Sequence, residues 1–297
     1  RVKNTTKDTK GRDKLEAKYR RFAKLSPCMA SNFHIAPAFF TAWQGEDIPL
    51  WNTIDLLIVD EAGQVSPDVG VPMFALAKRA LVVGDVHQIE PVWNVGEGTD
   101  RANAAKTGLI GSMQAMRYQD IEQAGFTAAK GSLMMVANRT CQVQKYEEMR
   151  GLMLIEHRRC VPELVAFCNQ LIYAGRLLPM RKAVPKKERI LPAFGFLNAD
   201  GKDKKVGGSR SNDSEAKAIV EWIKANRNRL EQHYPDDQQQ PTPLWKLVGI
   251  VTPFKAQMRA VEKQLLKQCP DLMKKGTRMT VGTVHALQGA ERKMVIF

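Results

Sequence analysis

Two short apolar runs, each ending in acidic and amide groups, constrain this chain most. They are Leu56-Leu57-Ile58-Val59-Asp60-Glu61-Ala62-Gly63-Gln64 and, twenty-five residues on, Leu81-Val82-Val83-Gly84-Asp85-Val86-His87-Gln88. A strand buried on both faces of a parallel sheet reads as such a run, and ligands of open α/β sheets bind beyond its carboxyl end. Between the runs, Ser66-Pro67-Asp68 supplies an N-cap, a proline at the first helical position and an early acid, so a crossover helix is expected to about Arg79. Strands at Ile54–Val59 and Leu81–Val83 complete a βαβ unit. Asp-Glu at one strand end can manage a metal ion and a water, and Gln at the next can sense what the water attacks. That chemistry suits nucleoside triphosphate hydrolysis.

The remainder repeats the strand–helix grammar and predicts an α/β fold. Ser26-Pro27 opens a loop or strand end, and helical stretches are expected near Gly108–Tyr118 and Ser132–Met149. A second series begins at Leu152–Ile155, followed by a helix over Val161–Tyr173 and a strand at Ala193–Leu197. Residues 199–211 read as a Gly-, Lys- and Ser-rich loop. Asn212 and Glu215 form a capping-box pair ahead of an amphipathic helix. Strands at Leu247–Val251, Met279–Val284 and Met294–Phe297 finish the chain. The boundary between two domains, 1–150 and 151–297, is placed where the second series starts.

Charge names a class of partner. The net charge of +14 suggests a polyanion, with a solvated surface and basic tail as the plainer alternative. Basic residues gather at the N-terminus, at Arg181, Lys182, Lys186, Lys187 and Arg189, and at Lys202, Lys204 and Lys205. Neither internal cluster has the aromatic interleaving of a single-strand stacking platform. Five cysteines without CxxC spacing fit a reduced, cytoplasmic setting, and no apolar run is long enough to span a bilayer, so no membrane partner is expected.

Five segments occur in a telling order: Asp60–Gln64, Gly84–Pro91, Glu156-His157-Arg158-Arg159-Cys160, Val251–Gln257 and Thr283–Glu291. Together they resemble motifs II, III and IV and the two motifs near V of superfamily 1 helicases. Among these, the 5′→3′ branch with the RNA-surveillance helicases and their bacterial relatives is the most similar. The resemblance implies two RecA-like domains with mainly parallel sheets, the first incomplete. It also implies ATP and Mg²⁺ as cofactors and single-stranded DNA or RNA as partner. Protein partners are left open.

Residue by residue, the resemblance assigns Asp60 to Mg²⁺ and Glu61 to the attacking water. An acidic strand–loop junction with Asp60 capping the turn is the alternative for a lone Asp-Glu pair. Gln88 would couple phosphate to motion, since its amide both accepts and donates. Gln64 and Asp85 would lie around the nucleotide. Arg159 matches the arginine that reaches the γ-phosphate, a fork suited to phosphate oxygens. Arg158 stands where an aromatic residue commonly stacks on the adenine, and a guanidinium can also stack. Gly289 and Glu291 would sit near ribose and phosphates. Ser26 and Pro27 in the first domain, and Thr252, Pro253, Phe254 and Thr283 in the second, match positions that hold the nucleic-acid backbone. Ordinary strand-end turns are the alternative for each of these six.

No Gly-x-x-x-x-Gly-Lys-Ser/Thr string occurs in the 297 residues. The expectation is an interior stretch of a longer helicase, with the P-loop upstream, the final arginine motif downstream, and this stretch alone inactive. The expected function is ATP-driven 5′→3′ translocation on a single strand with duplex unwinding. The rival is a nucleic-acid-binding scaffold that has lost hydrolysis.

Overall fold

The computed structural model describes residues 11–111, 116–147, 150–287 and 291–297. The chain divides into two compact units, Arg1–Met153 and Leu154–Phe297. The fold is mixed α/β with small, mostly parallel sheets.

The first unit begins with α1 (Gly11–Ala23) and a short helical turn α2 (Ala36–Phe39). The antiparallel hairpin β1 (Thr41–Trp43) and β2 (Asp47–Pro49) follows, turning at Gly45 with φ +91°. Leu15, Ala36, Phe40, Ala42, Leu50, Met73 and Leu76 bury one small core beneath it. The expected βαβ unit is present as β3 (Leu57–Val59), α3 (Pro67–Ala75) and β4 (Ala80–Val82), with β3 and β4 parallel and Val59 opposite Val82. Ser66 occupies the N-cap position, yet its side chain makes no capping hydrogen bond. The helix stops four residues short of the expected Arg79, and Ile54 makes only an isolated bridge to Ala77.

Among the described residues, α4 (Glu97–Lys106), α5 (Tyr118–Gln123) and α6 (Leu133–Thr140) follow in this unit. Of the helix expected over Gly108–Tyr118, residues 112–115 lie outside the described residues, and α5 starts only at Tyr118. Gly108 and Gly111 both adopt positive φ, which ends α4 and prevents helix across the described part of that stretch. Ser132 caps α6 by accepting from the Met135 N–H, and the helix ends at Thr140 rather than near Met149. Tyr118 ties α5 to α4: its hydroxyl donates to Asp100 at 2.9 Å. Burial, then that carboxylate, pushes the phenol up to about 12.

The second unit carries a larger core. Its parallel sheet has the order β10 (Thr280–Thr283), β9 (Val248–Thr252), β11 (Met294–Ile296). All three strands lie within a residue or two of their expected positions. Against it pack α8 (Asp213–His233) and α10 (Lys255–Gln268), burying Val220, Ile223, Leu230, Leu247, Ile250, Val261 and Leu265. The short turn α9 (Leu244–Leu247) leads into β9. The unit also contains β5 (Glu156–His157), α7 (Pro162–Cys168), β6 (Leu178–Pro179), the hairpin β7 (Lys204–Val206) and β8 (Ser209–Ser211), and α11 (Val284–Leu287).

Four expectations for this unit differ from the structure. Leu152–Ile155 is not a strand; Leu154 is 84% exposed, and pairing starts only at Glu156, parallel to Leu178. Ala193–Leu197 is also irregular, with Phe196 97% exposed. Apolar runs make strands only where a neighbour accepts their backbone groups. Conversely, the expected loop at 199–211 contains the β7–β8 hairpin, which turns at Gly207-Gly208 with Gly207 at φ +59°. The helix expected over Val161–Tyr173 is α helical only to Cys168 and continues as a π-helical turn, leaving Leu171 and Ile172 exposed.

Candidate functional site

The polar groups of the first unit converge at the carboxyl ends of β3 and β4, and backbone contacts bring them together. Beyond Val59 the ladder continues: the Val83 N–H donates to the Val59 carbonyl (2.8 Å), and the Ala62 N–H donates to the Val83 carbonyl (2.9 Å). The two loops then meet glycine to glycine. A Cβ on Gly63 would lie 2.3 Å from the Asp85 carbonyl oxygen, and one on Gly84 would lie 2.8 Å from the Ala62 nitrogen. Neither distance is possible for a real side chain, so both positions require glycine for this approach. Sequence reasoning gave these glycines no role.

The interlock holds a strained turn. Glu61 adopts a left-handed backbone (φ +53°, ψ +40°), unusual for a residue other than Gly, Asn or Asp. Its N–H donates to Asp60 Oδ1 at 2.9 Å, and its Oε2 accepts from Gln64 Nε2 at 3.0 Å. On the facing loop, Asp85 Oδ1 accepts from the His87 N–H (2.8 Å) and Oδ2 accepts from Gln88 Nε2 (3.3 Å). Asp60, Glu61 and Gln88 are exposed, whereas Gln64 and Asp85 are half-buried. The outer carboxylates therefore face solvent while the inner polar groups brace the turns.

In the second unit, Arg159 Nε lies 2.7 Å from Glu291 Oε1. Two residues distant in sequence are thus partners, and both are exposed, so the pair is readily exchanged for another. Arg181 donates to the Arg159 carbonyl at 2.9 Å, and Arg158 is paired with Glu156. Burial raises the Cys160 thiol above its ordinary range. Gly289 lies outside the described residues.

Thr252 and Thr283 are register partners at the carboxyl ends of β9 and β10. Thr252 is buried and its Oγ1 accepts from the Phe254 N–H at 3.3 Å, leaving the hydroxyl proton to donate elsewhere. Thr283 is half-buried, while Pro253 and Phe254 are exposed. Behind this loop Gln257 is buried: its Oε1 accepts from the Asn212 N–H (2.7 Å), and its Nε2 donates to Glu215 (3.0 Å). Asn212 does cap α8, accepting from the Ser214 and Glu215 N–H groups. The return half of the expected capping box is supplied by Gln257 instead of Glu215. Ser26 and Pro27 sit in an exposed loop of the first unit, where the Ser26 hydroxyl donates to the Cys28 carbonyl.

Among the described residues, no group of three or more His, Cys, Asp or Glu side chains could hold a metal, and no helix is long and apolar enough to cross a membrane. Polar groups at the ends of small parallel sheets are consistent with a RecA-like domain of the AAA type. A family model described as an AAA domain matches residues 130–297, and the chain belongs to that family. This domain is found in superfamily 1 helicases and points to a helicase-type, nucleotide-dependent function. Asp60 to Gln88 lie upstream of the matched span. No curated protein matches the chain significantly.

Proposed function

We propose that the chain forms the hydrolytic and strand-gripping parts of an ATP-dependent helicase that moves 5′→3′ along single-stranded DNA or RNA. The observation that carries this reading is the interlock of the Asp60–Gln64 and Gly84–Gln88 loops, which places carboxylates and amides at adjacent strand ends. A lone carboxylate with one oxygen engaged by its own turn suits Mg²⁺, which keeps several waters and takes the rest of its shell from nucleotide phosphates. Bound there with ATP, the ion would neutralise phosphate charge.

The residues divide the remaining work. Asp60 would hold the ion. Glu61, steered by Gln64, orients the attacking water and takes its proton. Gln88, braced by Asp85, contacts the water and the phosphate being lost. Arg159 exchanges Glu291 for the γ-phosphate, and Arg158 stacks on the base. Most catalysis of phosphoryl transfer is positioning and charge neutralisation, which these groups supply. Thr252, Pro253, Phe254 and Thr283, with Ser26 and Pro27, hold the nucleic-acid backbone without reading sequence.

The neighbouring arginines provide the test. In the intact protein, Arg159→Ala should abolish ATP hydrolysis and weaken ATP much more than ADP. Arg158→Ala should weaken both alike, and Arg158→Tyr should restore binding. Matched nucleotide titrations decide; selectivity against ATP in Arg158→Ala would move the assignment by one residue. Strand binding without nucleotide turnover in the wild type would instead favour the scaffold.

A further inference from the structure

The β7–β8 hairpin has an arrangement of charge that its own fold does not explain. Its register pairs Val206 with Ser209, Lys205 with Arg210 and Lys204 with Ser211. Side chains alternate between faces along a strand, so Lys204, Val206, Ser209 and Ser211 share one face and Lys205 and Arg210 share the other. The first face lies on the helices: Ser209 Oγ accepts from the Ala256 N–H in the first turn of α10 (3.1 Å), Ser211 is buried, and Lys204 pairs with Asp213 at the start of α8. Lys205 and Arg210 are therefore turned away from the protein, and both are exposed.

Two cations directly opposite each other across a strand pair repel, and such pairs are destabilising. Asp203 offsets Arg210. Lys205 and the neighbouring Lys202 are exposed, and no ion pair to either is seen among the described residues. Lys255, the first residue of α10, is exposed as well. The Ser209 and Gln257 hydrogen bonds staple the hairpin to the segment just after Thr252-Pro253-Phe254. A strand of nucleic acid held at that loop thus has a fixed basic ribbon beside it.

We infer that the β7–β8 hairpin is an additional phosphate-contacting element that extends the strand-gripping loop, with Lys205 and Lys202 as its contact residues. This rests on reading Thr252–Phe254 as part of the grip. Each phosphate contact releases counterion, so each lysine carries a share of the salt dependence of binding.

The test measures anisotropy of a labelled oligodeoxythymidylate with the intact protein at several salt concentrations. Relative to wild type, Lys205→Ala and the double variant Lys202→Ala/Lys205→Ala should lower the log–log salt slope by about 0.7 per lysine, which is roughly fivefold in affinity per lysine near 0.1 M salt. Lys267→Ala removes the same charge near the far end of α10 and should leave the slope unchanged. Phe254→Ala tests the loop separately. If Phe254→Ala weakens binding while the double lysine variant matches wild type, the hairpin inference is overturned and the grip survives. Equal losses from Lys267→Ala would also overturn it, because the effect would then be one of net charge. If wild type fails to bind at low salt, the grip itself fails and takes the hairpin with it.

Discussion

The two units position their polar groups by different means. In the first, the strands around the site are thinly covered, with Ile58 62% and Leu81 52% exposed, and the buried side chains nearest them belong to small clusters. Placement there comes from backbone packed on backbone at Gly63 and Gly84. In the second, a continuous core under β9 and α10 supports the loop, and buried side chains such as Gln257 fix it from behind. A backbone interlock tolerates no added atom but needs little core. A side-chain brace depends on the core that orients it.

The largest expected effect follows from the first half of that contrast. Gly63→Ala or Gly84→Ala must drive the two loops apart, misplacing Glu61 relative to Gln88. Misplacement by about 1 Å costs on the order of a hundredfold in rate, so ATP turnover of the intact protein should fall by about that much. Full activity in both variants would break the comparison on the side of the first unit.

The second half predicts an asymmetry in stability. Leu265→Ala opens a cavity in the larger core and should cost about 2–5 kcal/mol in denaturant unfolding. Ile58→Ala removes an exposed side chain and should change stability by only about 0.5 kcal/mol. Similar costs at the two positions would show that the β3–β4 face is covered in the intact protein.

What could be read from sequence followed the same division. The βαβ unit and β9, β10 and β11 were legible because apolar runs bounded by turn residues became strands with partners. Leu152–Ile155 and Ala193–Leu197 carry the same local signal but form no strand, and pairing is a tertiary fact. The acidic and amide groups of the site were visible as residues. The need for glycine at 63 and 84 was not, because it arises only when two loops meet. Gln257 was hidden similarly: the local pattern favoured Glu215, and a side chain from another helix took its place.

A smaller effect concerns pH. Asp271 accepts from Arg227 at 2.6 Å, and that hydrogen bond holds its carboxyl below the usual range. Its stabilisation is present above the unfolded-state value of about 3.9 and is lost as pH falls through the lowered folded value. Unfolding of the wild type should therefore become easier below about pH 4, and Asp271→Asn should flatten that fall. An unchanged acid limb would remove this pair from the account of the second unit.

The most direct test of the central claim is the turnover of Glu61→Gln in the intact protein, measured beside ATP affinity with Mg²⁺ present. The substitution keeps the shape of the side chain, including an oxygen able to accept from Gln64, but removes the base. Affinity should be retained while hydrolysis falls by about a hundredfold or more. Turnover within about threefold of wild type, a barrier change of only about 0.6 kcal/mol, would contradict the assignment of Glu61 as the catalytic carboxylate.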